Sequence, residues 1–256
     1  MGACCGADVP EQMVVSKQTK LLAVVEEQED TKVDKVKTGP GRIEKDWIFF
    51  DDGSKYKGQW LLDDKDGNGI FVDSDGAKYV GQFKADLFHG KGVETSIHGK
   101  YDGEWKEGVR EGYGEEYWNE TGDRYEGYYV DGERHGQGKL TYADGAVYQG
   151  QFDRNRNHGK GKYTYAKGGT YEGDLVDGLR HGQGTLKTKE GRIYIGQFEG
   201  NKKQGDGRLI YPDKSEYKGQ FSNNCENGKG VFISVEKDQM QVSASNGKLS
   251  VVAESN

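Results

Sequence analysis

Residues 125–142 read YEGYYVDGERHGQGKLTY, and this stretch holds the architecture in miniature. Tyr125, Gly127 and Tyr129 fall at alternate positions, which in an extended chain share one side of a sheet. Gly136, Gly138, Leu140 and Tyr142 continue the same two-residue period. Between the halves lies Val130-Asp131-Gly132-Glu133, where Gly supplies positive φ at no steric cost and Asp tolerates it. The stretch therefore predicts strand, turn and strand, a single β-hairpin.

On either side the opening motif, Tyr-x-Gly followed two residues later by an aromatic or Leu, recurs with little change. It begins at Tyr56, Tyr79, Tyr101, Tyr125, Tyr148, Tyr171, Tyr194 and Tyr217, with its glycine at Gly58, Gly81, Gly103, Gly127, Gly150, Gly173, Gly196 and Gly219. Nine residues after each motif glycine a Gly-x-Gly pair begins, at Gly67, Gly90, Gly112, Gly136, Gly159, Gly182, Gly205 and Gly228. That offset never varies, whereas the repeat length shortens and then lengthens by one residue on either side of Tyr101, in turns that tolerate it. Segments such as Ala143-Asp144-Gly145-Ala146 supply a second turn between units, so hairpin follows hairpin.

Composition supports this reading. Leu, Ile, Val and Phe make up fewer than one residue in five, a level at which disorder is the default. Yet the net charge is only −7, and 16 tyrosines and 4 tryptophans supply large apolar faces. The 41 glycines form no Gly-X-Y run, and there are only 3 prolines, which excludes collagen. With ring and glycine alternating on one face, each ring can lie over a neighbour's bare backbone. The expected fold class is all-β: a single-layer, elongated, twisted antiparallel sheet of tandem hairpins. At two strands per unit the rise is ~10 Å, giving a ribbon on the order of 80 Å long.

These residues resemble the MORN (membrane occupation and recognition nexus) repeat, whose pattern runs Tyr-x-Gly-x-aromatic, then Gly-x-Gly, then an aromatic and Asp-Gly. The resemblance covers Tyr56 to Ser234, and it weakens at Glu94 and Ser96, which stand where other units carry rings. It implies a repeat-core role for the eight motif tyrosines and glycines. The expected organisation is a flexible linker over residues 1–45 and a repeat ribbon over 46–234, whose residues 46–55 form a partial leading unit. A cap or frayed tail follows over 235–256.

The chain starts Met1-Gly2-Ala3-Cys4-Cys5-Gly6, which resembles an N-myristoylation signal at Gly2 followed by palmitoylation candidates at Cys4 and Cys5. Position 6 departs from the usual Ser or Thr. One myristoyl chain binds membranes marginally, and the mixed charges of the linker form no polybasic patch, so Cys4 and Cys5 would have to supply the second anchor. Apolar clusters at Met13–Val15 and Leu21–Val25 are too short to assign to helix or strand.

Little catalytic chemistry is legible. His89, His135, His158 and His181 each precede a Gly-x-Gly pair, but equivalents one hairpin apart lie ~10 Å apart, too far to share a metal ion. They are expected to be structural. No nucleophile–base order, carboxylate pair or CxxC emerges, and Gly-x-Gly within hairpins lacks the strand-to-helix context of a dinucleotide site. No enzyme, cofactor or metal is expected. The charges form no basic stripe, so no nucleic-acid partner is expected either. Arg134, Arg154, Arg156, Arg180, Lys202 and Lys203, balanced by Asp131, Glu133, Asp153, Asp177 and Glu199, are read as a solvated edge of turns.

Three cysteines are too few for a disulfide framework, and no secretory signal or spanning helix is apparent, which predicts a soluble, cytoplasmic chain. Protein partners are expected on the ring-lined face, with Trp60, Trp105, Trp118 and Tyr128 as candidate contacts, and unpaired edge strands allow a homodimer or end-to-end association. The resemblance implies a non-catalytic scaffold that tethers cytoskeletal or ciliary proteins to the cytoplasmic face of a membrane, as cortical and junctional MORN scaffolds do. Two alternatives stay open: a structural subunit of an axonemal, radial-spoke-like assembly, and a membrane-recruiting subunit of a lipid-modifying enzyme.

Overall fold

The computed structural model describes residues 41–252, which fall into two units, 41–143 and 144–252. The N-terminal unit holds β1 (Arg42–Phe49), β2 (Lys55–Leu61), β3 (Asp64–Val72), β4 (Lys78–Lys84), β5 (Leu87–Ser96), β6 (Gly99–Lys106), β7 (Val109–Trp118), β8 (Arg124–Val130) and β9 (Glu133–Thr141). The C-terminal unit holds β10 (Val147–Asp153), β11 (Arg156–Thr164), β12 (Gly169–Val176), β13 (Leu179–Thr188), β14 (Ile193–Glu199), β15 (Lys202–Ile210), β16 (Glu216–Ser222), β17 (Cys225–Ile233), β18 (Gln239–Ser245) and β19 (Lys248–Val251). Within each unit every strand pairs antiparallel with the next in the chain. The all-β expectation therefore holds. The described residues contain no helix, and so none that is long and apolar enough to cross a membrane.

The two-residue period appears directly as burial. In β8, Tyr125, Gly127 and Tyr129 are buried while the residues between them are exposed, and β14 alternates in the same way. All eight motif tyrosines are 0–1% exposed. Each ring lies on the second glycine of its own unit's Gly-x-Gly pair, which is cross-strand neighbour to the motif glycine, as in Gly173↔Gly184. A Cβ at Gly184 would stand 2.6 Å from Tyr171 Cε2, so only a bare Cα admits the ring.

The first glycine of the pair has a different duty. Gly159 takes φ +61° and opens a bulge in β11, visible as the jump from Gly150↔Gly161 to Gln151↔His158. A bulge leaves backbone groups without ladder partners, and side chains complete them. Gln151 Oε1 accepts from the Lys160 amide at 2.9 Å, and the Tyr148 hydroxyl donates to the Gln151 carbonyl at 2.7 Å. The same arrangement recurs in other units, with Gln59 accepting from Asn68 and Asp174 from Gln183. The core tyrosine thus supplies ring area and one hydrogen bond that the bulge requires.

Hairpin turns within units are two residues long, and from the second repeat on both positions have positive φ, as at Arg154 (45°) and Asn155 (67°), the geometry that matches strand twist. Between units Asp caps the longer turn, as where Asp73 Oδ1 accepts from the Asp75 and Ala77 amides.

At the N-terminal end strand structure begins at Arg42, inside the segment read as linker. Ile43 pairs with Trp60, and Lys45 Nζ sits 4.4 Å from the Trp60 ring centroid. At the other end β18 and β19 continue the sheet beyond residue 235. Val242 and Ala244 are buried opposite Gly230 and Gly228, where a further unit would place its motif glycine and ring. Small aliphatic side chains thus fill the step after the last repeat.

Candidate docking face

One face of each unit is a ladder of rings. The tyrosine that opens a repeat makes an edge-to-face contact with the ring four residues on, as in Tyr56–Trp60 (5.3 Å) and Tyr194–Phe198 (5.1 Å). It makes a second with the corresponding ring of the next repeat, as in Tyr56–Phe83 (5.0 Å) and Tyr194–Phe221 (4.8 Å). Each such contact contributes roughly 0.5–1.5 kcal/mol beyond its buried area. This is how a sheet short of aliphatic residues stays ordered.

In each unit cations are inlaid in that face. The residue two positions before each Gly-x-Gly pair lies across from the second ring, as in Trp105↔Arg110 and Leu175↔Arg180, and so points to the ring side. Arg110 Cζ stands 4.5 Å from the Tyr101 centroid, Arg134 5.6 Å from Tyr125 and Arg180 5.9 Å from Tyr171, and Lys203 Nζ is 5.6 Å from Tyr194. Arg134, Arg180 and Lys203 therefore do not belong to a solvated turn edge. Arg180 and Lys203 are buried and Arg134 is half-buried, while Arg154, Arg156 and Lys202 stay exposed. The signal was present in the sequence: in a two-residue hairpin this position opposes the second ring.

Two of these arginines differ in surroundings. Arg110 is clamped by carboxylates, with Nη2 3.0 Å from Glu94 Oε2 and Nη1 2.5 Å from Glu116 Oε1, and the Tyr129 hydroxyl donates to Glu116 Oε2 at 2.9 Å. Burial works against the Arg110 charge, but Glu116 and Glu94 outweigh it and hold its pKa above the ordinary value. Burial, followed by the Glu116 charge, raises the Tyr129 hydroxyl far above its usual range. Arg180 has no such clamp. Its Nε and Nη2 donate to Asn201 Oδ1 (3.3 Å) and Asn201 O (2.7 Å), Nη1 makes no hydrogen bond, and burial lowers its pKa.

The MORN repeat profile matches residues 56–78, 79–97, 101–120, 125–147, 148–170, 171–191, 194–216 and 217–239. The chain belongs to the MORN-repeat family. The eight matches start at the eight motif tyrosines, so the MORN register and the ring ladder coincide. No curated protein matches the chain significantly. Among solved structures, the chain is similar to the SAS-4 (dCPAP) TCP domain of Drosophila melanogaster in complex with a proline-rich motif of Ana2 (dSTIL). Identity is 17%, coverage is 78% of this chain and 99% of that one, and the TM-score is 0.31. It is also similar to a catalytically inactive virginiamycin B lyase from Staphylococcus aureus with quinupristin, at 9% identity, 80% and 85% coverage and a TM-score of 0.16. At such TM-scores neither likeness carries an argument.

In the MORN frame the four candidate contact rings separate. Trp60 and Trp105 are 7% and 6% exposed and serve as second rings of the ladder, so they are not free to dock a partner. Trp105 Nε1 donates to the Gly92 carbonyl at 3.1 Å, which fixes it further. Tyr128 is 51% exposed on the opposite face, edge-on to Tyr113 at 5.7 Å. Trp118 is half-buried at the rim of the ring face, 5.2 Å below Arg134. Tyr165 and Tyr211 take the equivalent rim position in the C-terminal unit and are also half-buried.

The four repeated histidines sit at the bulges on the other face, opposite Gln82, Tyr128, Gln151 and Asp174. Among the described residues no group of three or more His, Cys, Asp or Glu side chains is placed to hold a metal. Gly2, Cys4 and Cys5, and the clusters Met13–Val15 and Leu21–Val25, lie outside the described residues.

Proposed function

We propose that this MORN protein is a non-catalytic scaffold that docks protein partners on its ring face and is tethered to a membrane through its acylated N-terminus. The observation that carries the docking half is the half-buried rim ring in each unit, Trp118 in the N-terminal one and Tyr165 and Tyr211 in the C-terminal one. Trp118 lies beside the Arg134 guanidinium and Tyr165 beside that of Arg180, the mixture of ring and cation that protein-recognition surfaces favour. Repeat families of this kind typically serve as scaffolds for protein binding or membrane association.

The anchoring half rests on Gly2, Cys4 and Cys5, whose spacing suits myristoylation followed by palmitoylation. The partners we propose are cytoskeletal or ciliary proteins, held at the cytoplasmic face of a membrane. Fractionation of cells that express the chain with a C-terminal tag tests this. The full protein should sediment with membranes and be released by detergent, and Gly2→Ala should be soluble. Unchanged sedimentation of Gly2→Ala would remove the anchor. Retention in a detergent-insoluble axonemal fraction would favour a structural subunit instead.

A further inference from the structure

We propose that Arg180 is the receptor for a carboxylate, presented by an acidic peptide segment of a partner protein that docks on the ring face of the C-terminal unit. This rests on the protein-docking reading above and adds the chemistry of one contact.

A guanidinium keeps its charge under all ordinary conditions and offers five N–H donors. Arg180 is 8% exposed, yet among the described residues no carboxylate pairs with it: Asn201 takes Nε and Nη2, the neutral Tyr165 hydroxyl stands beside the guanidinium, and Nη1 makes no hydrogen bond of good geometry. A buried charge without a counter-ion is costly, and natural structures rarely keep one unless something completes it.

The chain itself shows what completes it. Arg110 fills the same repeat position, and its two carboxylates come from Glu94 and Glu116, both cross-strand neighbours of Tyr101. The corresponding neighbours of Tyr171 are Tyr163 and Leu186, which are 8% and 2% exposed and carry no charge. Where the N-terminal unit supplies its own acids, the C-terminal unit supplies a ring and an aliphatic side chain. That leaves one cation framed by apolar surface, a match for a singly charged carboxylate flanked by apolar residues.

Tyr165 is the element that must move. Its half-buried ring packs on Tyr163 at 4.7 Å, and its hydroxyl borders the guanidinium. It stands at the rim, so a rotamer change would uncover Nη1 without disturbing the ladder beneath. A docking peptide would replace the Tyr165 hydroxyl with its carboxylate.

The test selects binders to the immobilised full-length protein from a displayed peptide library with one fixed central Glu, then measures affinities by fluorescence anisotropy. Selected peptides should bind Arg180→Gln at least tenfold more weakly, and their own Glu→Gln versions should lose as much. Leu186→Glu places an acid at the position of Glu116, so it should neutralise Arg180 from within and weaken binding at least tenfold. Leu186→Gln, which alters the apolar frame without adding a charge, should weaken binding less than Leu186→Glu, and equal losses would overturn the role of the carboxylate. Inorganic phosphate should compete no better than chloride at equal ionic strength, and specific displacement by phosphate would overturn the carboxylate assignment. Peptides that bind all variants equally would overturn the Arg180 site and leave the docking reading intact. If no peptide were selected, both readings would fail.

Discussion

Arg110 and Arg180 occupy one repeat position in two units, on the same backbone and above the same tyrosine ring, and only the first has counter-ions. The difference lies in two cross-strand positions, Glu94 and Glu116 in one case, Tyr163 and Leu186 in the other. Tyrosine and glycine at fixed intervals set the backbone, and a few unconstrained face positions set the electrostatics. One unit is internally complete at this point. The other has a charge left over.

The largest effect expected from this contrast is at Arg110. Arg110→Gln leaves Glu94 and Glu116 facing each other over rings, and should cost about 3 kcal/mol, read by urea unfolding and by lost amide protection in β6 to β8. Arg180→Gln removes a buried charge that has no counter-ion, so it should cost less than about 1 kcal/mol even though two hydrogen bonds to Asn201 go with it. Equal losses at the two sites would erase the distinction. Next in size is the transplant. Leu186→Glu should be more stable than Leu186→Gln by about 1–2 kcal/mol while Arg180 is present, and the order should invert in an Arg180→Gln background. A double-mutant cycle with no coupling would show that Arg180 cannot reach that position.

Alkaline pH probes the ladder common to both regions. Burial pushes the Tyr125 hydroxyl up to about 12 from its ordinary value of 10.0, with Arg134 and a backbone hydrogen bond acting the other way. A group whose folded pKa lies above its unfolded one stabilises fully below the unfolded value, and that stability fades as pH rises through the folded value. Circular dichroism should therefore be flat up to about pH 10 and fall steeply towards pH 12, in step with tyrosinate absorbance. Gradual ionisation near pH 10 with the sheet intact would contradict the burial. The smallest expected effect is at Tyr128, half-exposed on the opposite face, where Tyr128→Ser should shift stability by no more than about 0.5 kcal/mol.

The hairpin array was legible in the sequence because its causes are local. Alternation of Tyr125, Gly127 and Tyr129 announces a strand, and Asp131-Gly132 announces the turn. The invariant nine-residue offset to Gly136 fixes the register, which follows from one ring needing one bare Cα at one place. Fates that depend on register across two strands were less legible. Trp60 and Trp105 look like exposed anchors until the ladder places them beneath neighbouring tyrosines. Arg180 looks like a turn cation until the two-residue turn places it opposite Leu175. The ends were legible only in part, 46–55 as a partial leading unit and 235–256 as a cap or a frayed tail: Arg42–Phe49 and Gln239–Val251 lack the full motif and enter the sheet by backbone pairing.

The ring seated on a bare Cα is the claim beneath all of this, and the stability of Gly184→Ala tests it most directly, with Gly191→Ala as the reference. Gly184 has no strained φ, but an added Cβ would meet the Tyr171 ring, whereas Gly191 has φ +87° and open space around it. Overpacking should make Gly184→Ala cost about 3 kcal/mol with loss of amide protection in β12 and β13, against about 1 kcal/mol for Gly191→Ala. If Gly184→Ala were as stable as wild type, or less damaging than Gly191→Ala, the ring would not be seated there and the ladder would not be what orders the sheet.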